Sequence, residues 1–102
     1  MERKAKEIAE LLKVLANKNR LLILCELIKK PQTVGSLGEK IPTITQSALS
    51  QHLALLKAHG ILDFSKEGLS VTYFIADHRV EAVISVLKNI TATMRRNEMQ
   101  YL

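Results

Sequence analysis

The repeat of apolar residues changes twice along this chain, and that pattern most constrains its fold. Over residues 2–59 apolar side chains recur at helical spacing. Over residues 61–76 they gather into two short runs rich in Val, Ile, Thr, Phe and Tyr, and from Val80 the helical spacing returns. Gly60 and Gly68 stand at the breaks, where the chain must stop a helix or turn. With no internal repeat and no linker, residues 1–102 read as one domain.

A first helix is expected over residues 2–16, with Ile8, Leu11, Leu12 and Leu15 at i, i+3, i+4 and i+7. Asn17 and Asn19 interrupt it and can cap a second, which carries Leu21, Leu24, Cys25 and Ile28 and stops at Lys29, Lys30 and Pro31. Thr33 reads as the N-cap of a short third helix bearing Val34, Leu37 and Ile41. Gly35 and Gly38 weaken that helix, each by about 1 kcal/mol against Ala, so packing must hold it. Pro42 closes it, and Thr45 caps a fourth helix over residues 46–59 with a buried Leu49, Leu53 and Leu56 stripe. Residues 61–65 and 70–76 form a β-hairpin around the turn Lys66-Glu67-Gly68-Leu69. Asp77 then caps a last long helix with Val80, Val83, Ile84, Leu87 and Ile90. Met94 extends its stripe, and Arg95 and Arg96 begin a frayed end.

The order α-α-α-α-β-β-α, mainly helical with a small hairpin, defines a winged helix-turn-helix. Aromatics are 4% of the chain and Trp is absent, so the core is aliphatic and small. The first and last helices carry more apolar surface than such a core can cover. Ile8, Leu11, Leu12, Leu15, Val83, Leu87 and Ile90 are therefore the expected interface of a homodimer.

The net charge of +5 is uneven: residues 1–30 hold eight basic and four acidic side chains, whereas residues 61–102 hold five of each. Charge alone leaves DNA, RNA, acidic membrane and a plain solvated surface all open. The longest apolar run, Leu21 to Cys25, is five residues, far short of a membrane span, and the charged start leads into no secretory segment. One cysteine makes no internal disulfide, which fits a cytoplasmic protein.

A helix that reads base edges in the major groove needs short polar side chains near its N-terminus. Gln46, Ser47, Ser50 and Gln51 provide these, on the face taken to be opposite the leucine stripe. Gln can pair with adenine through two hydrogen bonds, and Ser can donate or accept. The plainer reading is an exposed polar face on an amphipathic helix. Thr33 with its backbone N–H is a candidate phosphate contact, and Lys66 with the wing backbone is a candidate minor-groove or phosphate contact. His52 suits either a phosphate or a packing role between helices.

At RLLILCEL (residues 20–27) and QSALSQHLALLKAHGIL (residues 46–62) the sequence resembles the ArsR family of bacterial and archaeal repressors, in the branch typified by HlyU, BigR and YgaV. The resemblance spans roughly residues 11–89. It implies a dimeric repressor that binds an imperfect palindromic operator in double-stranded DNA and releases it when an inducer is sensed. It also implies that Gln46, Ser47, Ser50 and Gln51 touch DNA. Two departures stand out: Ser65 lies where many relatives carry Arg, and the turn at Pro42-Thr43 is one residue longer.

Metal sensing in that family needs ligands this chain lacks. No Cys follows residue 25, and Asp77 and His78 face Lys88, Asn89, Ile90 and Thr91 where a second ligand pair belongs, so no metal site and no cofactor are expected. Cys25 aligns with one of two cysteines that relatives use in redox response, but the partner position holds Ala92. Its place on the Leu21, Leu24 and Ile28 stripe favours an inert core thiol over a redox site.

Enzymatic readings find no support. Ser50 and His52 are two apart on one helix and point in different directions, and the chain has no Gly-rich phosphate loop and no paired carboxylates. The remaining alternative is a winged-helix adaptor or antagonist that binds protein instead of DNA. The absence of any acid between Thr43 and Gly60 argues for DNA.

Overall fold

The computed structural model describes the backbone of residues 1–101 and the side chains of residues 1–92. Helices α1 (Glu2–Leu15) and α2 (Lys18–Lys29) lead into a two-residue strand β1 (Gln32–Thr33), then α3 (Val34–Lys40) and α4 (Gln46–Ala58). Strands β2 (Leu62–Glu67) and β3 (Ser70–Ile75) form the hairpin, and α5 (Arg79–Tyr101) closes the chain. This is the helical order with a wing that the periodicity predicts. Helix α5 continues past the frayed end expected at Arg95, and the place of Met94 on its stripe lies outside the described residues.

Local chemistry sets the boundaries. The side chains of Asn17, Thr33 and Thr45 accept from the backbone N–H of Arg20, Ser36 and Ala48 at 3.1, 3.2 and 3.1 Å, capping α2, α3 and α4. Helix α4 ends in a Schellman motif: Ile61 N–H bonds the Leu56 carbonyl at 3.0 Å and Gly60 N–H bonds Lys57 at 2.9 Å. Gly60 takes φ +74°, and Leu56 and Ile61 are both buried beside it. The hairpin turn is tighter than expected. Lys66 and Glu67 are paired in β2, leaving Gly68-Leu69 as a two-residue turn with φ +60° at Gly68, the glycine-first arrangement of a type II′ turn.

The sheet has three strands in the order β1-β3-β2, all antiparallel, with Gln32 opposite Tyr73 and Thr33 opposite Thr72. The third strand comes from the segment that caps α3. The aliphatic core gathers Val14, Leu15, Ile23, Leu24, Leu27, Leu37, Ile41, Ile44, Leu49, Leu53, Leu56, Ile61, Leu62, Ile75, Val80 and Ile84.

That list corrects one expected interface residue. Leu15 is 5% exposed and belongs to its own core, at the end of α1 where the Arg20 guanidinium from α2 bonds the Val14 carbonyl. Leu11 and Val83 are half-buried against the same core. Ile8, Leu12, Leu87 and Ile90 face outward at 49–55% exposure, joined by Val86 at 55%. Among the described residues no helix is long and apolar enough to cross a membrane.

Candidate nucleic-acid interface

Helix α4 follows α3 through a turn closed by Ile44 N–H to the Ile41 carbonyl at 3.1 Å, with Pro42 at its first corner. Leu49, Leu53 and Leu56 anchor α4 at no more than 1% exposure. With that side buried, Ser47, Ser50, Gln51 and Ala54, at i, i+3, i+4 and i+7, form one exposed stripe along the outer side. Gln46 departs from the expected position. It is exposed but sits at the flank, beside Val34, Gly38, Ile44 and Leu49 around a hollow of about 450 Å³ between α3 and α4. Ala54 was missed by sequence reasoning, which looked only for polar groups. A small apolar side chain on a reading face suits a thymine methyl.

His52 lies on neither side. It is half-buried, and its Nδ1 faces the Arg20 guanidinium, with Nε donating at 3.4 Å. Burial, and then the Arg20 charge, hold this ring below the usual imidazole range. The Arg20 contact gives His52 a packing role between helices, and it occupies Nδ1 while leaving Nε2 to other partners.

The wing has two unlike sides. Alternation puts Phe64 and Lys66 on one and Asp63, Ser65 and Glu67 on the other. Phe64 stacks at a tilt on its cross-strand neighbour Tyr73, ring centroids 5.5 Å apart, and Lys57 of α4 sits 5.1 Å from the Phe64 ring centre. Lys66 is exposed toward the tip. Thr33 is half-buried; its Oγ1 is taken up as the α3 cap, and its strand is joined to the wing at Thr72.

Polar residues outside this face have structural work. Gln32, 4% exposed, donates from Nε2 to the Glu26 carbonyl at 2.8 Å and accepts from Ser36 Oγ at 2.9 Å. Glu26 also pairs with Lys29 at 3.1 Å and Lys40 at 4.0 Å, and the Lys29 hydrogen bond leads in holding its carboxyl below the usual range. Asp77 accepts from Arg79 N–H at 3.1 Å and pairs with its guanidinium at 2.6 Å, which lowers that carboxyl too. The helix thus starts two residues beyond its acidic cap. His78 faces Glu81 at 3.7 Å. Among the described residues no group of three or more His, Cys, Asp or Glu side chains is placed to hold a metal ion.

Cys25 is half-buried rather than sealed in the core. It lines a groove of about 500 Å³ between α2 and α5 together with Leu21, Ile84, Leu87 and Ala92. The groove brings Cys25 and Ala92 to one place.

Helices α3 and α4 at a tight turn, a polar stripe on α4 and a wing beside it define a winged helix-turn-helix regulator. Residues 14–101 match the HxlR-like helix-turn-helix family, and the chain belongs to it. HlyU of Vibrio cholerae, a transcriptional activator by name, is 39% identical over 90 residues, 88% of this chain and 82% of HlyU. A solved structure of HlyU from Vibrio cholerae N16961 superimposes with a TM-score of 0.81 over 88% of this chain and 97% of that one. The biofilm growth-associated repressor of Agrobacterium fabrum is 36% identical over 97 residues, 95% of this chain and 82% of its own. The homodimeric winged helix-turn-helix DNA-binding domain Mb0332 of Mycobacterium bovis, described as a possible ArsR-family regulator, matches at 25% identity and TM-score 0.79 over 95% of this chain and 92% of that one. Its relatives are thus transcription regulators of the kind the ArsR resemblance implied.

Proposed function

We propose that this protein is a cytoplasmic, homodimeric transcriptional repressor that reads a two-fold-related site in double-stranded DNA. The observation that carries the reading is the α4 stripe of Ser47, Ser50, Gln51 and Ala54: short, solvent-facing, free of acid and beside a wing whose inner side offers Lys66. Gln46 reaches base edges from the flank, and Thr33 and Lys66 meet phosphates. The outward Ile8, Leu12, Leu87 and Ile90 form the core of the dimer contact, with Leu11 and Val83 at its floor. Relatives named both activator and repressor share the fold; repression is favoured because a dimer seated on a promoter blocks it simply by occupying it.

Selection from a pool of randomised duplexes tests this. Enrichment of paired half-sites about one helical turn apart, centre to centre, is the expected result. A well-folded protein that enriches no sequence would instead favour the protein-binding adaptor, whose partner would occupy the same face.

A further inference from the structure

Arg20 is the side chain that connects the two surfaces on which the proposed function depends. From α2, its Nη1 donates to the Val14 carbonyl in the last turn of α1 at 2.9 Å, and its Nε reaches His52 Nδ1 on α4 at 3.4 Å. Its own backbone N–H is fixed by the Asn17 cap at 3.1 Å. One guanidinium therefore touches the end of a helix that carries outward apolar residues and the buried flank of the helix that carries the polar stripe. Guanidinium suits this use because its planar fork keeps donors at fixed angles, which a lysine ammonium does not.

We propose that Arg20 is a positioning residue for sequence reading: it sets the angle of α4 against α1, and so the spacing and tilt at which the two reading helices of a dimer enter the groove. The proposal rests on the DNA-reading function above. A dimer reads two half-sites at a distance fixed by its own geometry, so a small rotation of α4 degrades selectivity before it degrades general attraction to phosphate. The contact also fixes a tautomer. A ring nitrogen that accepts from Arg20 is unprotonated, so the neutral ring carries its proton on Nε2. Adding a second proton at Nδ1 sets donor against donor and cation against cation, and the brace opens.

Arg20 is the charged group from a neighbouring element that bears on this ring among the described residues. Glu10 and Lys13 of α1, with His59 at the end of α4, line the hollow beside Arg20. Val14 contributes its carbonyl, which does not titrate.

The experiment measures anisotropy with the best duplex from the selection and with an unselected duplex of equal length, at constant ionic strength, from about pH 7.5 to about pH 5.5 across the imidazole range. The readout is the ratio of the two affinities. For the unmodified protein that ratio should begin to fall once the pH drops below the usual imidazole value, toward a limit on the order of tenfold, the worth of one hydrogen bond to a charged group. Arg20→Met should lower the ratio at neutral pH by a similar factor and make it level with pH, while affinity for the unselected duplex stays within about twofold of a lost single charge. His52→Asn places an amide oxygen where Nδ1 stood, still an acceptor for Arg20 but unable to titrate; its ratio should stay level with pH, whatever its starting value. Full selectivity in Arg20→Met, or the same pH slope in His52→Asn as in the unmodified protein, overturns the brace. Failure to select any sequence at any pH overturns the DNA-reading function and the brace with it.

Discussion

The Lys57 ammonium at the end of α4 stands 5.1 Å from the centre of the Phe64 ring in the wing, and this contact ties α4 to the hairpin. Phe64 is 38% exposed, so the contact is a surface one worth about 0.5–1 kcal/mol, with a similar contribution from the Tyr73 ring pair. Phe64→Leu keeps apolar bulk but removes both terms. It should lower unfolding free energy by about 1–2 kcal/mol in urea titration; stability equal to that of the unmodified protein would show the rings contribute only area.

Reading and anchoring should separate cleanly by mutation. Gln51→Ala or Gln46→Ala should cost about 1–3 kcal/mol on the preferred duplex and relax base choice, while Lys66→Ala should weaken all duplexes alike. With about four to six phosphates neutralised per dimer, log affinity should fall against log salt with a slope near −4 to −5. Unchanged sequence preference in both Gln variants would mean the reading face has been placed on the wrong side of α4.

Charged substitutions at Leu87 and Ile90 should yield monomers in sedimentation and a large loss of DNA affinity, because both side chains are half exposed in the protomer. Leu15→Ala should behave differently. It lies in the core and should cost about 2–5 kcal/mol of stability through the cavity it leaves. A monomeric unmodified protein at micromolar concentration would remove the dimer from the function.

Gln32→Leu preserves volume but strands the Glu26 carbonyl and the Ser36 hydroxyl that Gln32 now serves. A loss of about 1–3 kcal/mol is expected for those partly buried partners. Thermal unfolding with no change would show that water takes the place of the amide.

Stability should decline with acid in two legs. His52 is held below its usual value of about 6.5, so below that pH the unfolded chain takes up a proton that the folded chain resists, and stability falls as pH drops. Glu26 and Asp77 are held low by Lys29 and Arg79. Their contribution is intact above the usual carboxylate range near pH 4 and is lost as pH falls through their folded values. Urea titrations across pH should show His52→Asn losing the first leg and keeping the second.

Much of the fold was legible because helices and hairpin announce themselves by period and by caps: Asn17, Thr33, Thr45 and Gly60 all serve at the boundaries where the sequence put them. Strand β1 was not legible, since two residues carry no period and Thr33 was already accounted for as a cap. Leu15 and Leu12 share a helical stripe in sequence, and only tertiary packing decides which is covered. Arg20, Lys57 and Arg79 drew no notice because a long cation in sequence looks like any solvated charge; its partner, 32 residues away for Arg20 and His52, exists only after folding. Cys25 was assigned to the interior from its apolar neighbours along α2, but its exposure depends on how α5 lies across them.

The sheet order has a mechanical consequence. Only Thr72 and Tyr73 of the central strand have neighbours on both sides; beyond them the pairs Lys66–Val71 and Glu67–Ser70 hang from a single edge. The wing is thus clamped at its root to the same segment that starts α3, and toward its tip its two strands pair with each other alone. For the proposed DNA-reading function, lengthening or shortening the hairpin around Gly68 should therefore change how far the wing reaches while leaving the outward stripe of α4 in place.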